Sequence, residues 1–262
     1  MLSSLKVAGP QGQLAVTQAG QGNGLPLLFL HADSGRADQW REVAEELAPE
    51  RPVAAFDFRG SGNSEPARDG NYGYAARAGD ALAVLDALGW ERCVLVAHSG
   101  GAAVALELVA QQATRVAGLL LVEPPTDPRA LPPKIREGFV RDLAGPHSLQ
   151  VQQDYYRSIA GQNPVTRERV LEDCKATSPA ARAGIGQALA TWNPEPALRA
   201  WAGSALILVT PPNDNENALH RLRPDIPHRV VGGEGHWLQL DEPLLVAQAI
   251  RSFVTGFEPR AP

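Results

Sequence analysis

The sequence predicts an α/β fold, in which a mostly parallel, doubly wound sheet carries a helical lid inserted between two of its strands. Short apolar runs without polar alternation recur along the chain, as parallel strands covered on both faces require. Helix-like segments separate these runs, which favours right-handed crossovers between parallel strands. The strand pattern stops between Pro124 and Ala202 and resumes at Ala205. This interruption predicts the insertion.

The predicted elements alternate along the chain. Five apolar runs are predicted to be strands, at residues 27–30, 53–56, 94–96, 119–122 and 206–209. Four segments are predicted to be helices, at residues 39–47, 74–88, 101–112 and 243–253. The interrupted stretch contains prolines, charges and helix-like pieces such as residues 165–176. We therefore assign residues 1–123 and 203–262 to the core and residues 124–202 to a helical lid.

The composition is that of an ordinary globular protein. The 262 residues are 44% hydrophobic and 20% charged, which argues against disorder and coiled coil. A net charge of -5 lacks the basic surplus that suggests a nucleic-acid or anionic-membrane partner. No apolar run has the length of a membrane span, and the first residues lack the features of a signal peptide. We expect no nucleic-acid or membrane partner, and the oligomeric state stays open.

Cysteine and histidine usage argues against a metal site. Cys93 and Cys174 make no disulfide framework, and no Cys-x-x-Cys pair suggests zinc. The six histidines show no ligand-like spacing. We therefore expect a reducing, cytoplasmic location, no metal and no cofactor.

The sharpest local signal surrounds Ser99. An apolar run ends at Ala97-His98, Ser99 follows in a tight turn, and a helix pattern of small residues comes after it. This is the nucleophile-elbow arrangement, in which a strained turn lifts a serine hydroxyl above the carboxyl edge of a sheet. Ala97 and Gly101, two residues before and after the serine, are small, as the close approach of strand and helix requires. The pattern predicts that Ser99 is a nucleophile.

Three further motifs accompany the elbow. They are Leu-Phe-Leu-His-Ala-Asp at residues 28–33, Phe-Asp-Phe-Arg-Gly-Ser-Gly-Asn-Ser at residues 56–64 and Gly-Glu-Gly-His-Trp at residues 233–237. With the motifs in this order and at these gaps, almost the whole chain resembles the serine-nucleophile branch of the α/β-hydrolase superfamily. The resemblance implies an oxyanion-hole amide at Asp33 and a catalytic histidine at His236. Ala32 stands where the family usually has glycine.

The chemistry of these residues fits the resemblance. A serine hydroxyl is a weak nucleophile until a base accepts its proton, and an imidazole suits that task near neutral pH. His236 is the candidate base because it lies in a Gly-rich loop after a strand-like stretch. The developing oxyanion would be met by the amide of Gly100 and, by resemblance, that of Asp33. The carboxylate of Asp33 can equally face solvent.

Two carboxylates compete for the role of the acid that supports His236. Asp214 falls in the aspartate register of the family's Gly-x-x-Asp segment, with Pro211 in place of the glycine. Glu123 follows the preceding predicted strand, a second position from which some members of the family supply the acid. We prefer Asp214 and retain Glu123 as its rival.

His31, His98 and Trp237 flank the predicted site and are candidate pocket residues. Histidines in such positions usually hydrogen-bond neighbouring loops, and we expect this of His31 and His98. Trp237 fits a pocket wall and the core equally well.

These observations support two enzymatic hypotheses. The first is a serine hydrolase that cleaves an ester, thioester, lactone or activated carbon–carbon bond of a small molecule. The alternative is a cofactor-free dioxygenase of the same fold that opens N-heteroaromatic rings, in which a histidine is the base for a substrate hydroxyl. Glu123, His98 and the pair Pro211-Pro212 are similar to the pattern of that group. A binding module with vestigial turnover is a third hypothesis, against which the intact serine and histidine motifs count.

Overall fold

The structure, a computed structural model, describes residues 2–257. Within these residues, one sheet is formed by the strands β1 (Ser3–Ala8), β2 (Gln13–Ala19), β3 (Leu27–Leu30), β4 (Val53–Phe56), β5 (Cys93–His98), β6 (Val116–Val122), β7 (Ser204–Val209) and β8 (His228–Val230). Their order across the sheet is β1-β2-β4-β3-β5-β6-β7-β8. β2 runs antiparallel to both β1 and β4, and all other neighbours are parallel. The predicted mostly parallel α/β sheet is confirmed.

The sheet is covered on both faces by helices. The helices are α1 (Arg41–Leu47), α2 (Tyr74–Ala87), α3 (Gly100–Gln112), α4 (Pro133–Ala144), α5 (Ser148–Ile159), α6 (Pro164–Asp173), α7 (Pro179–Thr191), α8 (Glu195–Ala200), α9 (Leu219–Leu222), α10 (Leu238–Asp241) and α11 (Pro243–Val254). The apolar residues of α2, α3 and α8 pack on one face, and those of α1 and α11 pack on the other.

This double coverage explains why the central strands contain no polar alternation. In β5, Cys93, Leu95 and Ala97 face the layer of α2 and α3, whereas Val94 and Val96 face the layer of α1 and α11. Because successive side chains of a strand point to opposite faces, a strand covered on both sides must be apolar throughout.

The five predicted strands are all present. The runs 27–30 and 53–56 coincide with β3 and β4, and the other three lie within β5, β6 and β7. β1 and β2 were not predicted. β1 is an edge strand with a mostly exposed surface, so its sequence needs no apolar run.

Helices α4 to α8 lie between β6 and β7. Proline stands in the first turn of α4, α6 and α7, where its missing N–H is tolerated. Asn163 caps α6 and Ser178 caps α7 by accepting hydrogen bonds from backbone amides of the first turn. A small apolar cluster joins α5 and α6 to the loop after β8, and its members are Tyr156, Ala160, Val170, Cys174 and Trp237.

None of the helices formed by residues 2–257 is both long and apolar enough to span a bilayer.

Candidate active site

Three neighbouring strands bring the candidate catalytic residues to one edge of the sheet. His98 at the end of β5 pairs with Val122 at the end of β6, and Val122 pairs with Leu208 in β7. Ser99 and Glu123 directly follow the first two of these residues, and the Ser99 amide donates to the Val122 carbonyl at 3.0 Å. The carboxyl edge, where α/β proteins bind ligands, therefore holds Ser99 and Glu123 side by side.

Backbone strain is concentrated at this edge. Ser99 has φ 50° and ψ -124°, which is the strained strand-to-helix turn that the elbow motif predicts. Ser34, Ser99 and Glu123 are the non-glycine residues with positive φ among residues 2–257. Because such a conformation costs of order 1–3 kcal/mol per residue, it persists only where the surrounding structure enforces it.

Close packing explains the glycine at position 101. A Cβ atom there would lie 2.6 Å from the carbonyl oxygens of both Leu30 and His31. The first turn of α3 therefore passes the end of β3 at a distance that only glycine permits.

Glu123 and His236 form the polar pair of the site. Oε2 of Glu123 lies 3.0 Å from Nδ1 of His236, and the Glu123 side chain is only 1% exposed. The same carboxylate accepts hydrogen bonds from the backbone amide of Thr210 and from Nδ2 of Asn213. A carboxylate accepts hydrogen bonds and has none to donate, so the proton of neutral His236 lies on Nδ1, which faces Glu123. Nε2 is then the basic nitrogen.

Asp214, the acid preferred from the sequence, does not contact His236. Its Oδ1 accepts a hydrogen bond from Nε2 of His220 at 2.9 Å and from Nη2 of Arg221 at 2.8 Å. The prediction that Asp214 holds the imidazole of His236 is therefore wrong.

The conformation of the loop after β7 accounts for this correction. Residues Pro211–Asn213 form a 3-10 turn, and this turn directs the Asn213 side chain to Glu123. Asp214 follows one residue later and points to a different set of partners. Asn213 was not predicted as a site residue, because nothing in the residue pattern indicates that this loop begins with a 3-10 turn.

His31 bridges neighbouring loops, as predicted. Its Nε2 accepts a hydrogen bond from the Phe58 amide at 2.9 Å, and its Nδ1 donates to the Ala32 carbonyl at 2.6 Å. Burial lowers the pKa of His31 to about 4, so the ring is neutral near pH 7 and both of its nitrogens are satisfied.

His98 likewise hydrogen-bonds its neighbours and orders the loop that carries His236. Its Nε2 donates to the His236 carbonyl at 2.8 Å, and its Nδ1 accepts from Nε2 of Gln239 at 3.0 Å. Burial, reinforced by the neighbouring His236, holds the pKa of His98 well below its usual range. Gln239 was not predicted, and the only signal for it is its position about one helical turn after His236.

A cavity of about 190 Å³ opens beside Ser99, Gly100 and His236. Most of its wall is apolar, and half of the residues that line it belong to α4, α5 and α7, among them Phe139, Leu143, Val151, Tyr155, Ile185 and Leu189. Pro125, Thr126, Pro128 and Leu131, which precede α4 in the insertion, add to the wall. The insertion between β6 and β7 therefore supplies most of the surface that faces Ser99.

The three candidate pocket residues do not line this cavity. His31, His98 and Trp237 are fully buried, and the rings of His98 and Trp237 pack against that of His236, which lines the cavity. Trp237 meets the ring of Tyr156 edge-on, with ring centroids 4.8 Å apart. Its role as a pocket residue is corrected to that of a core residue, because its indole fills the cluster that joins the insertion to the sheet.

The amides predicted for an oxyanion hole belong to residues that line the cavity. Asp33 and Gly100 both contribute to its wall beside Ser99. Within residues 2–257, neither backbone N–H donates to another protein group. Gly100 is the first residue of α3, and the first N–H groups of a helix have no intrahelical acceptor.

The carboxylate of Asp33 is held inside the protein. It accepts hydrogen bonds from the Tyr74 hydroxyl at 2.8 Å and from Nη1 of Arg77 at 2.5 Å. A Cβ atom on Gly100 would lie 2.4 Å from the carboxyl carbon of Asp33, so this carboxylate rests against the start of α3. Tyr74 and Arg77 were not predicted as partners of Asp33, because their helix was predicted only from its apolar face.

Asp214, His220 and His228 bring three potential ligand atoms within 4.8 Å of one another. The spacing of the histidines along the chain did not indicate this group. The rings of His220 and His228 stack with centroids 4.1 Å apart. The positively charged side chain of Arg221 forms an ion pair with the Asp214 carboxylate. That positive charge opposes the binding of a cation.

The chain matches two curated relatives over part of its length. It is 38% identical over 104 residues to the 2-hydroxymuconate semialdehyde hydrolase of a Pseudomonas strain, a match that covers 38% of this chain and 37% of the relative. It is 36% identical over 117 residues to the N-formylmaleamate deformylase of Pseudomonas putida, which covers 44% of each chain. The chain thus matches less than half the length of these relatives.

The likeness in fold extends over nearly the whole chain. A thermophilic esterase from Thermogutta terrifontis superposes with a TM-score of 0.84 and 23% sequence identity, over 97% of this chain and 98% of that chain. The family model described as alpha/beta hydrolase fold matches residues 26–243. The chain therefore belongs to the α/β hydrolase fold family.

Proposed function

We propose that the protein is a serine hydrolase that cleaves an acyl bond of a small molecule through Ser99, His236 and Glu123. The observation that carries the proposal is the 3.0 Å contact between Nδ1 of His236 and Oε2 of Glu123, beside the cavity that Ser99 and His236 line. An imidazole held by a buried carboxylate in this way is suited to accept the proton of a serine hydroxyl.

Each group has one task in the proposed cycle. The Ser99 hydroxyl oxygen attacks the acyl carbon while Nε2 of His236 accepts the hydroxyl proton, and a tetrahedral intermediate forms. The bond to the leaving group then breaks, and the leaving group takes the proton from Nε2. A water molecule, activated by the same nitrogen, hydrolyses the acyl-enzyme and restores the serine. Glu123 stabilises the imidazolium in both halves of the cycle.

The amides of Gly100 and Asp33 are the proposed donors to the oxyanion. They are supported by their position in the cavity wall and by the lack of other protein acceptors for them among residues 2–257. A single donor of this kind lowers the barrier by about 3 kcal/mol.

We also propose that residues 124–202 are a lid that sets substrate specificity. Side chains of α4, α5 and α7 supply most of the apolar wall opposite Ser99. A substrate bound near Ser99 would therefore have most of its surface in contact with side chains of the insertion.

The two relatives support hydrolysis as the reaction class, because one is named a hydrolase and the other a deformylase. Only the reaction class is carried over to this chain, since the matches cover less than half of each relative.

Labelling with a fluorophosphonate probe, followed by intact-protein mass spectrometry, tests the nucleophile without a known substrate. The wild type should gain one label and Ser99→Ala none. Ser158→Ala removes an exposed serine hydroxyl and is the matched control, which should label like the wild type. Equal labelling of Ser99→Ala would overturn the assignment.

The position of Glu123 also favours a second candidate, the cofactor-free dioxygenase. In that group, which the chain resembles, the acid follows the strand after the elbow, as Glu123 follows β6. His236 would then accept the proton of a substrate hydroxyl. Oxygen uptake with a 3-hydroxy-4-quinolone, together with an unlabelled Ser99, would favour this candidate. A labelled Ser99 without oxygen uptake would favour the hydrolase.

A further inference from the structure

Within residues 2–257, the cavity wall contains an acidic side chain but no Lys or Arg. Among the residues of the described chain that line it, Asp33 is the only Asp or Glu, and there is no Lys or Arg. The side chain of Asp33 is 13% exposed, and its carboxylate rests against Gly100, next to Ser99. A substrate bound for attack by Ser99 therefore lies close to a carboxylate.

The partners of Asp33 lie behind it, outside the cavity wall. Arg77 is 2% exposed, and its guanidinium stacks on the rings of Phe58 and Tyr74 at 5.5 and 5.4 Å from their centroids. Burial, and then the charge of Asp33, raises the pKa of Tyr74 well above its usual range, so its hydroxyl keeps the proton that it donates. Of the ion pair between Asp33 and Arg77, only the negatively charged member, Asp33, lines the cavity.

We infer that Asp33 is a specificity-determining residue that restricts the site to uncharged substrates with an apolar acyl group and excludes acyl groups that carry a carboxylate. This inference rests on the proposed function. An anionic acyl group would lose its hydration in an apolar cavity, would find no Lys or Arg side chain in the cavity wall among residues 2–257, and would be repelled by Asp33. An unfavourable juxtaposition of this kind discriminates against one substrate without strengthening the binding of the other.

Two esters with the same leaving group and similar acyl length test the inference. The substrates are 4-nitrophenyl butanoate and the mono-4-nitrophenyl ester of succinic acid, whose acyl chain ends in a carboxylate. The wild type should prefer the butanoate in kcat/KM by at least about tenfold at low salt. Asp33→Asn should reduce this preference by about tenfold, because the Asn keeps the shape of the side chain and leaves the Arg77 charge without its counter-ion.

Asp86→Asn is the matched control for the change in charge. Asp86 lies in the same helix as Arg77 and pairs with Arg115 on the surface, where its side chain is 66% exposed. This variant should retain the wild-type preference. An unchanged preference in folded Asp33→Asn, or a wild type that prefers the anionic ester, would overturn the inference.

Equilibrium dialysis of both esters against Ser99→Ala separates the inference from the proposed function. This measurement requires neither turnover nor a folded Asp33→Asn variant. Preferential binding of the butanoate, with no hydrolysis by the wild type, would contradict the proposed function and support the role of Asp33. Equal binding of the two esters would contradict the role of Asp33, whatever the wild type hydrolyses.

Discussion

Oε2 of Glu123 lies 3.0 Å from Nδ1 of His236, although 113 positions separate the two residues in the sequence. The sheet brings Glu123 to this contact, because β6 ends between β5 and β7 at the edge where Ser99 turns into α3. His98 holds the other partner by donating a hydrogen bond to the His236 carbonyl, and Gln239 orients His98 by donating to its other ring nitrogen. The pair is therefore fixed from both sides before any substrate binds.

Replacing Glu123 by Gln should lower kcat by about 10⁴-fold, the loss seen elsewhere when the acid of a triad is removed. A Gln side chain cannot stabilise the imidazolium, and its amide group would oppose the amide donors of Thr210 and Asn213. The measurement is steady-state hydrolysis of 4-nitrophenyl butanoate, with thermal unfolding recorded to show that the variant is folded.

Asp214→Asn is the matched control for this prediction. Because Asp214 contacts His220 and Arg221 and its side chain is 26% exposed, kcat should stay within about threefold of the wild type, as for an ordinary surface substitution. A large loss in Asp214→Asn with little change in Glu123→Gln would contradict the assignment of the acid.

The sequence predicted the part of the fold that depends on burial. β3 and β4 coincide with the predicted runs because both of their faces are covered and every residue must be apolar. The exposed strands β1 and β8 have weaker constraints on residue type. For β8 the residue pattern indicates only a strand-like stretch, and for β1 it predicts no strand.

The acid illustrates what local sequence could not predict. Asp214 and Glu123 both follow strands at the correct edge of the sheet, so topology alone did not distinguish them. The choice depends on the 3-10 turn at Pro211–Asn213, which points Asn213 to Glu123. A one-residue difference in this turn places Asn213 against Glu123 and Asp214 against His220, and no periodicity in the sequence predicts such a turn.

Gly101→Ala should destabilise the protein by about 1–3 kcal/mol, because the added methyl group meets the carbonyls of Leu30 and His31. Gly79→Ala is the matched control in the interior of α2, where an added Cβ has no neighbour within 4 Å. It should be neutral or stabilising by up to about 1 kcal/mol, since alanine favours the helix. Urea unfolding measures both values, and equal stabilities would refute the close approach at the elbow.

Stability should fall as the pH decreases from about 6.5 to about 4. Burial lowers the pKa of His31 from 6.5 to about 4, so in this window the unfolded chain takes up a proton that the folded protein does not. The loss in the free energy of unfolding due to His31 begins below about pH 6.5 and amounts to about 3 kcal/mol by about pH 4. Urea unfolding at several pH values measures the slope.

His31→Gln should make this slope shallower, whatever its effect on stability near pH 7. Part of the slope should persist, because burial also lowers the pKa of His98. His147→Gln removes an exposed imidazole and should retain the wild-type slope. An unchanged slope in His31→Gln would show that this ring does not remain neutral in the folded protein.

If the proposed function is correct, Phe139→Ala should shift the substrate preference of the protein toward longer acyl chains. Phe139 lies in α4 and lines the cavity, so its removal opens space opposite Ser99. The ratio of kcat/KM for 4-nitrophenyl octanoate to that for the acetate should rise by about tenfold, since each methylene in a tight apolar pocket contributes about 1–3 kcal/mol to discrimination.

Ile135→Ala separates the pocket from the helix that carries it. Ile135 lies in the same helix but is 48% exposed, and it is not among the residues that line the cavity. Its variant should keep the wild-type ratio, because it loses apolar surface from α4 without widening the space before Ser99. If Phe139→Ala leaves the ratio unchanged while remaining folded, the acyl chain does not extend toward α4. The proposal that residues 124–202 set the specificity would then lose its main support.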